Sequence, residues 1–441
     1  MTDDTGQDQQ ANMRKVAMTS LAGTSIEWYD FFLYATAAAL IFPSAFFPED
    51  FSPTVTTILS LATFAAGFVA RPIGGLIFGH FGDRVGRKKT LVIALMMMGV
   101  ATTLIGFLPT YASIGVAAPL LLVTLRFVQG LAIGGQWGGA MLLVTESAPA
   151  DQRGWYGAYA QAGAPMGVVL ANLAFMGVSF AVGDEAFREW GWRIPFIASV
   201  VLIGISMYVQ LKIEDTDAFK RLAGAQKKAE NSEVTIQRSP IIEAIRKYPR
   251  RIMLAAGAFL SIQVTFYILI VFVITYVNGV PALSEQLSRS TMLAIVTAAA
   301  AIMVPTQFYF SGLSDRVGRK VVYRWGAILT GIWAFALFPL INTQDPALVL
   351  CGVTVGLLFL GMQYGPQAAY FTELFSTEVR YSGASLGYQL GAILGGALAP
   401  IIAVLLWKNF GITYVSVYIA FAAVLTLLSL SRLDETQGKS L

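Results

Sequence analysis

The stretch DRVGRK occurs twice in this chain, at 83–88 and again at 315–320, each time between two long apolar runs. Six identical residues in a chain of 441 point to a duplicated element. The copies place Asp83, Arg84, Gly86 and Arg87 against Asp315, Arg316, Gly318 and Arg319. A glycine at that point permits a tight turn where a side chain would clash.

The flanking runs set the class. Hydrophobic residues make up 56% of the chain and charged ones 13%, with mean hydropathy +0.64. Soluble domains usually carry about 25% charge, so lipid is the expected solvent. A helix crosses the hydrocarbon in about 20 apolar residues. With that ruler, spans fall near 17–41, 55–79, 90–109, 117–138, 155–181 and 191–211, then near 252–277, 290–311, 321–341, 347–370, 382–407 and 412–431. The expected fold is therefore an all-α integral membrane protein with twelve transmembrane helices in two six-helix, pseudo-symmetric halves.

DRVGRK follows the second span of each half. A second pair runs parallel to it: Glu146 precedes Arg153 by seven residues in ESAPADQR, and Glu373 precedes Arg380 by seven in ELFSTEVR. Parallel repeats with a site at the midplane between them are a transporter architecture. The domain reading is an N-terminal segment 1–16, a six-helix half 17–211, a linker 212–251, a second half 252–431 and a tail 432–441. In the linker, Ser239 and Pro240 can open a short helix with Ile241, Ile242, Ile245 and Tyr248 on one apolar face, lying on the membrane surface; a solvated spacer is the alternative.

Arg14/Lys15, both DRVGRK loops and the 212–251 segment put positive charge on one face, while FPEDFSPT, PTYAS, GDEAFREW and NTQDP on the other are acidic or neutral. By the positive-inside rule the basic face, and with it both termini, is cytoplasmic. The first apolar run is too long for a signal peptide, carries Glu27 and Asp30, and has no clear small-residue cleavage site, so it is expected to be a retained helix. The basic pI of about 9.0 comes from these short blocks and does not outline a nucleic-acid groove. One cysteine, Cys351, excludes a disulfide framework, and a lone His80, expected to pack at a helix end, leaves no histidine cluster for a metal. GRKKT lacks the spacing of a phosphate-binding loop, so no ATP-driven step and no cofactor is expected; the energy source would be the proton motive force.

Charges inside the spans are the candidate machinery, since each costs about 2.5–3.5 kcal/mol at the bilayer centre even on insertion scales. Asp30 lies 13 residues into the first span and Arg126 12 residues from the basic end of the fourth, depths of about 20 and 18 Å at 1.5 Å per residue. A direct Asp30–Arg126 pair is thus geometrically allowed, and Glu27, Asp30 and Tyr34 follow a helical stripe that can face one cavity. Desolvation disfavours a bare carboxylate and a neighbouring guanidinium favours it, so substrate binding at Arg126 would release the acid to take a proton. The competing reading is a permanent ion pair locking two helices. Arg71 either snorkels or meets an anion, and Arg193 either draws anions to the outer mouth or anchors its helix. From the seventh span onward there is essentially no mid-membrane charge. Gln263, Tyr267, Gln307, Gln363, Tyr364, Gln367, Tyr388 and Gln389 instead offer neutral ligand contacts, or interhelical hydrogen bonds. Gly383, Gly387, Gly391 and Gly395 form a ladder expected to serve close packing.

IEWYDFFLYA, ARPIGGLIFGHFGDRVGRKK, LRFVQGLAIGGQWGGA, ESAPADQRGWYGA, WGWRIPF and TELFSTEVRYSGASLGYQ cover both halves. On these stretches the chain resembles the major facilitator superfamily and, within it, the metabolite–proton symporters, which include shikimate, ketoglutarate, citrate and proline/betaine carriers; shikimate-type carriers look most similar. The resemblance implies a proton-coupled carrier in the bacterial inner membrane, functioning as a monomer. It also implies coupling through a helix-1 acid and Arg126, and a cytoplasmic gate of Asp83, Arg84, Gly86, Arg87, Glu146, Arg153, Asp315, Arg316, Gly318, Arg319, Glu373 and Arg380; a plain topology signal is the bland alternative for that network. Similar proteins read GGEWGG where this chain reads GGQWGG, so Gln136, beside Trp137 in the expected substrate site, cannot titrate and the proton load falls on Asp30 or Glu27. The substrate expected is a small organic anion, because guanidinium matches carboxylate bidentately. Compatible-solute symport and proton-driven export are the alternatives; the short tail after the last span counts against the first and the poor motif match of QAGAPMG against the second.

Overall fold

The computed structural model describes residues 4–85, 87–134, 144–145, 148–214, 245–375 and 380–438, with only the backbone course at 4–12, 79–91, 206, 209–214 and 380–382. Among the described residues the chain forms twelve long helices. The first half holds α1 (Asp4–Leu40), α2 (Pro53–Val85), α3 (Arg87–Phe107), α4 (Ala117–Gly134), α5 (Arg153–Val182) and α6 (Arg193–Glu214). The second holds α7 (Pro249–Asn278), α8 (Arg289–Val317), α9 (Arg319–Ile341), α10 (Pro346–Glu373), α11 (Arg380–Gly391, a π-helical Ala392–Ala397, then Ala399–Phe410) and α12 (Thr413–Ser431). The boundaries match the apolar runs, except that several helices continue past the hydrocarbon length; α1 begins at Asp4 and α2 reaches Val85. Nine of the described helices are long and apolar enough to cross a membrane, and Val92–Phe107 and Arg193–Ile205 are shorter apolar segments.

The packing pattern explains the composition. Phe180, Leu120, Ile332, Phe421 and Leu428 stand exposed on the outside of the bundle, an arrangement stable only against lipid tails. The centre is closed by glycine crossings. A methyl at Gly74 would lie 1.9 Å from the Leu131 carbonyl oxygen, and one at Gly134 would lie 1.9 Å from that of Arg71, so α2 and α4 touch backbone to backbone, as small-residue contacts allow in lipid. Gly387, Gly391 and Gly395 seat α11 on α7 in the same way, while Gly383 meets Phe375. The two halves meet along α5 with α8 and α10, and along α2 with α11. Almost all of α7 is buried, and its helix widens to a π-turn at Ile268–Phe272, next to Tyr267. That is where a bundle helix faces the centre of the molecule.

Candidate functional site

At mid-depth α1 lays Trp28, Phe31, Phe32 and Tyr34 against Phe64 and Phe68 of α2 and Tyr267 of α7. Two guanidinium groups are buried in this aromatic mass, Arg71 at 2% exposure and Arg126 at 0%. Both stack on the same ring: each guanidinium carbon lies 4.4 Å from the Phe31 centroid, with Arg126 also 4.3 Å from Tyr34 and Arg71 4.6 Å from Phe68. Cation–π contact is worth about 2 kcal/mol when desolvated, well short of what a buried cation loses on leaving water. Nε and Nη2 of each arginine have no hydrogen-bond partner. Gly67 makes the room, since a methyl there would sit 2.6 Å from Arg126 Nε. A cavity of about 20 Å³, lined by Glu27, Trp28, Phe31, Arg71, Ile133, Tyr388 and Gln389, remains beside Arg71. That is room for about one water and too little for a metabolite.

The direct Asp30–Arg126 pair allowed by depth is not made. Two neutral side chains stand between them, because Asp30 turns toward α3 and α6. Arg126 Nη1 donates to Gln129 Oε1 at 3.1 Å, Gln129 Nε2 donates to Thr102 Oγ1 at 2.6 Å, and Thr102 Oγ1 donates to Asp30 Oδ2 at 3.3 Å. Asp30 Oδ1 has no partner, and Ser199 of α6 lies beside the same carboxyl while bonding the Pro195 carbonyl at 3.1 Å. The stripe of Glu27, Asp30 and Tyr34 therefore divides. Glu27 lines the cavity, Tyr34 bonds Thr63 at 2.7 Å under Arg126, and Asp30 faces neither. Nothing in the sequence sets Thr102 or Gln129 apart, although Gln129 follows Arg126 by three residues on one helical face.

The neutral groups of the second half separate as well. Gln363 Nε2 bonds Thr330 of α9 at 2.9 Å, an interhelical tie within one half, while its Oε1 is buried without a partner. Gln367 Oε1 accepts from Gln161 of α5 at 2.7 Å, and the Tyr364 carbonyl accepts from the same amide at 3.2 Å, so both join the halves. Gln263 Nε2, Gln389 Oε1 and both polar atoms of Gln307 are buried without partners. Tyr267, Tyr364 and Tyr388 lie close around Arg71. Arg193 is an anchor: its Nη1 bonds the Gly106 carbonyl at 3.0 Å and that of Leu108, and it stacks on Trp192. Gln136, Trp137 and Glu146 lie outside the described residues, as do the side chains of His80, Asp83, Arg84, Arg87 and Arg380 and the whole of Gly86. Of the linker helix, Ser239, Pro240, Ile241 and Ile242 also lie outside them; Ile245 is exposed and Tyr248 packs on Phe375.

The second DRVGRK copy is fully described. Asp315 Oδ1 and Oδ2 accept from the backbone N–H of Gly154 and Trp155 at 2.8 and 2.9 Å, so a carboxylate of α8 sits on the N-terminus of α5 in the opposite half. Helix N-termini bind anions in this way. Arg153, the first residue of α5, is buried at this end. Arg319 joins Asp315 to Glu373, reaching Glu373 Oε1 at 3.3 Å, while the exposed Arg316 forms no ion pair among the described residues. Gly318 adopts φ +108°, which a side chain rarely tolerates. The tail then folds over this knot. Glu435 accepts from the backbone N–H of Arg319 and Lys320 at 3.1 and 2.9 Å, and Thr436 Oγ1 donates to Glu373 Oε2 at 2.7 Å. At the opposite end of the bundle, Arg289 of α8 bonds Asp184 after α5 at 2.6 Å. The Ser179 hydroxyl, and then Arg289 itself, hold the Asp184 carboxyl below its usual range. That clamp gave no sign in the sequence, because its partners are 105 residues apart.

A twelve-helix bundle of two similar halves, bridged at both ends around buried arginines whose Nε and Nη2 lack partners, defines a membrane carrier. The chain belongs to the Major Facilitator Superfamily, which it matches over residues 30–386 and again over 273–440. It is 44% identical, over 97% of its length and 95% of theirs, to the inner membrane metabolite transport protein YhjE of Escherichia coli. It is also 38% identical to that organism's shikimate transporter, over 93% and 91%, and 31% identical to the proline/betaine transporter of Salmonella typhimurium, over 97% and 85%. The inward-open xylose transporter XylE of E. coli superposes with TM-score 0.71 at 17% identity, covering 97% of this chain and 98% of that one. The protein is thus a multi-pass membrane transporter of small molecules and not an enzyme.

Proposed function

We propose that this carrier takes up a small organic anion together with protons by alternating access. The observation that carries the reading is Arg126: a mid-depth guanidinium stacked on aromatic rings, with Nη1 on Gln129 and its other two nitrogens unpartnered. Such a group is left in need of an acceptor that the protein does not supply, and a carboxylate provides it bidentately. Arg71, across Phe31, offers a second anchor, and Gln263, Gln389, Tyr267 and Tyr388 offer neutral contacts. Asp30, the carboxyl one relay away from Arg126, carries the proton. The closer identity to a shikimate transporter than to proline/betaine transporters favours an acid as cargo.

In this reading the DRVGRK end and both termini face the cytoplasm, the halves comprise 17–211 and 252–431 joined by 212–251, and Asp315, Arg319 and Glu373 latch the inner gate. The test is uptake into proteoliposomes under an acid-outside gradient across shikimate, ketoglutarate, citrate, aromatic acids and betaine. Stimulated uptake of an acid is expected. Stimulation by none of the acids overturns the reading, and stimulation of betaine alone moves it to compatible solutes.

A further inference from the structure

We propose that Thr102 and Gln129 are positioning residues that transmit the protonation state of Asp30 to Arg126. The inference builds on the symport reading but has its own readout. Every donor in the chain points from the cation to the acid: guanidinium to Gln129 oxygen, Gln129 amide to Thr102, Thr102 hydroxyl to Asp30. The reverse orientation of the Gln129 amide would set its NH₂ against guanidinium donors. Hydrogen bonds aligned this way polarise one another, so an anionic Asp30 strengthens the hold on Arg126 Nη1.

Thr102 is the joint that can turn. Its single hydroxyl proton has two acceptors in reach, Asp30 Oδ2 at 3.3 Å and the Met98 carbonyl at 2.9 Å. When Asp30 gains a proton, its O–H donates to Thr102 Oγ1, and the Thr102 proton turns to Met98. Both Thr102 lone pairs are then filled by donors, and the anionic end of the chain is gone. The pull of Gln129 Oε1 on Arg126 Nη1 is then weaker, so Nη1 turns more readily, with Nε and Nη2, to an anion. Protonation first and anion second is the order that symport needs.

Little else can set the charge of Asp30. Tyr29 beside it bonds the Pro195 carbonyl. Thr102 from α3 and Ser199 from α6 are neutral, and Arg193 at the start of α6 is committed to the Gly106 and Leu108 carbonyls. α5, packed along α1, has no charged residue beyond Arg153 at its start, and faces Thr36 with Asn172. α2 contributes Arg71, which is turned to Phe31, and Glu27 on α1 itself lines the cavity. Arg126 is therefore the cation to which the relay leads.

The test needs no substrate. The carboxyl C=O stretch of Asp30, identified by its loss in Asp30→Asn, is titrated by infrared difference spectroscopy in the full-length protein in nanodiscs. Arg126→Gln is combined with Thr102→Val, and separately with Gln129→Leu, in two double-mutant cycles. A through-space effect of Arg126 is the same in each background and cancels, so the cycle isolates the relay. We expect non-additivity of at least about 0.5 pH unit in both cycles, the scale of one net hydrogen bond, and its absence when Thr102→Ser replaces Thr102→Val. Additive midpoints in either cycle, or Thr102→Ser behaving as Thr102→Val, overturn the proposal. Absence of acid-driven uptake would count against symport and leave this titration to be judged alone.

Discussion

Asp315→Asn should open the DRVGRK end. The substitution keeps the shape of the side chain, but removes the charge that sits on Gly154 and Trp155 at the N-terminus of α5 and pairs with Arg319. Hydrogen bonds to a charged group contribute about 1.5–3 kcal/mol each. The amide oxygen of Asn retains one of the two backbone contacts, and Arg319 keeps Glu373. The net loss is about 2 kcal/mol, which at tenfold per 1.4 kcal/mol is roughly a 30-fold rise in the open population. Ser311 of α8 reports it: it is fully buried, and a methyl at Gly154 would lie 2.6 Å from its carbonyl. In a Cys351→Ser background, Ser311→Cys should react with a membrane-impermeant thiol reagent about 30-fold faster once Asp315→Asn is added. A change under threefold would refute the idea that this carboxylate holds the halves together.

Three further predictions extend the reasoning. Gly67→Val drives a side chain into the space of Arg126 Nε and should cut uptake at least about tenfold with the protein still eluting as a folded monodisperse species. Asp184 titrates below its usual range in the folded protein, so the clamp to Arg289 contributes above the unfolded carboxylate value and is lost only as pH falls through the lower folded one. Wild type and Asp184→Asn should therefore keep a constant, small difference in Tm from neutral pH down to about pH 4 and converge below it; Asp184 is 65% exposed, which limits the gap to less than about 1 kcal/mol. Removing residues 434–441 strips Glu435 from the first turn of α9 and Thr436 from Glu373; it should lower Tm by a few degrees and speed Ser311→Cys labelling.

The helices were legible because lipid imposes one length and one polarity on every span, and the duplication because DRVGRK survives intact in both halves. Arg126 and Asp30 were legible for the same reason: a charge among apolar residues stands out. What joins them was not. Thr102 and Gln129 are ordinary residues in a membrane helix, and depth along two helices says nothing of rotation about their axes. Rotation is what turns Asp30 to α3 and sends Arg126 over Phe31. Phe31 itself is one aromatic among many in IEWYDFFLYA, and its place between two cations exists only after α1, α2 and α4 meet. Gln363 is mixed: its amide nitrogen closes a bond to Thr330 that the sequence did not show, while its oxygen stays buried without a partner. The contacts of the short tail were not legible either: Glu435 caps α9, because the exposed N–H groups of a helix start need an acceptor.

Proton movement on substrate addition tests the central claim most directly. Proteoliposomes in weak buffer are given the acid they transport best, and external pH is recorded. Wild type should alkalinise the medium as protons enter with the anion, whereas Asp30→Asn should exchange labelled for unlabelled substrate without moving external pH. Equal alkalinisation by Asp30→Asn, or transport by wild type with no pH change, would contradict the account.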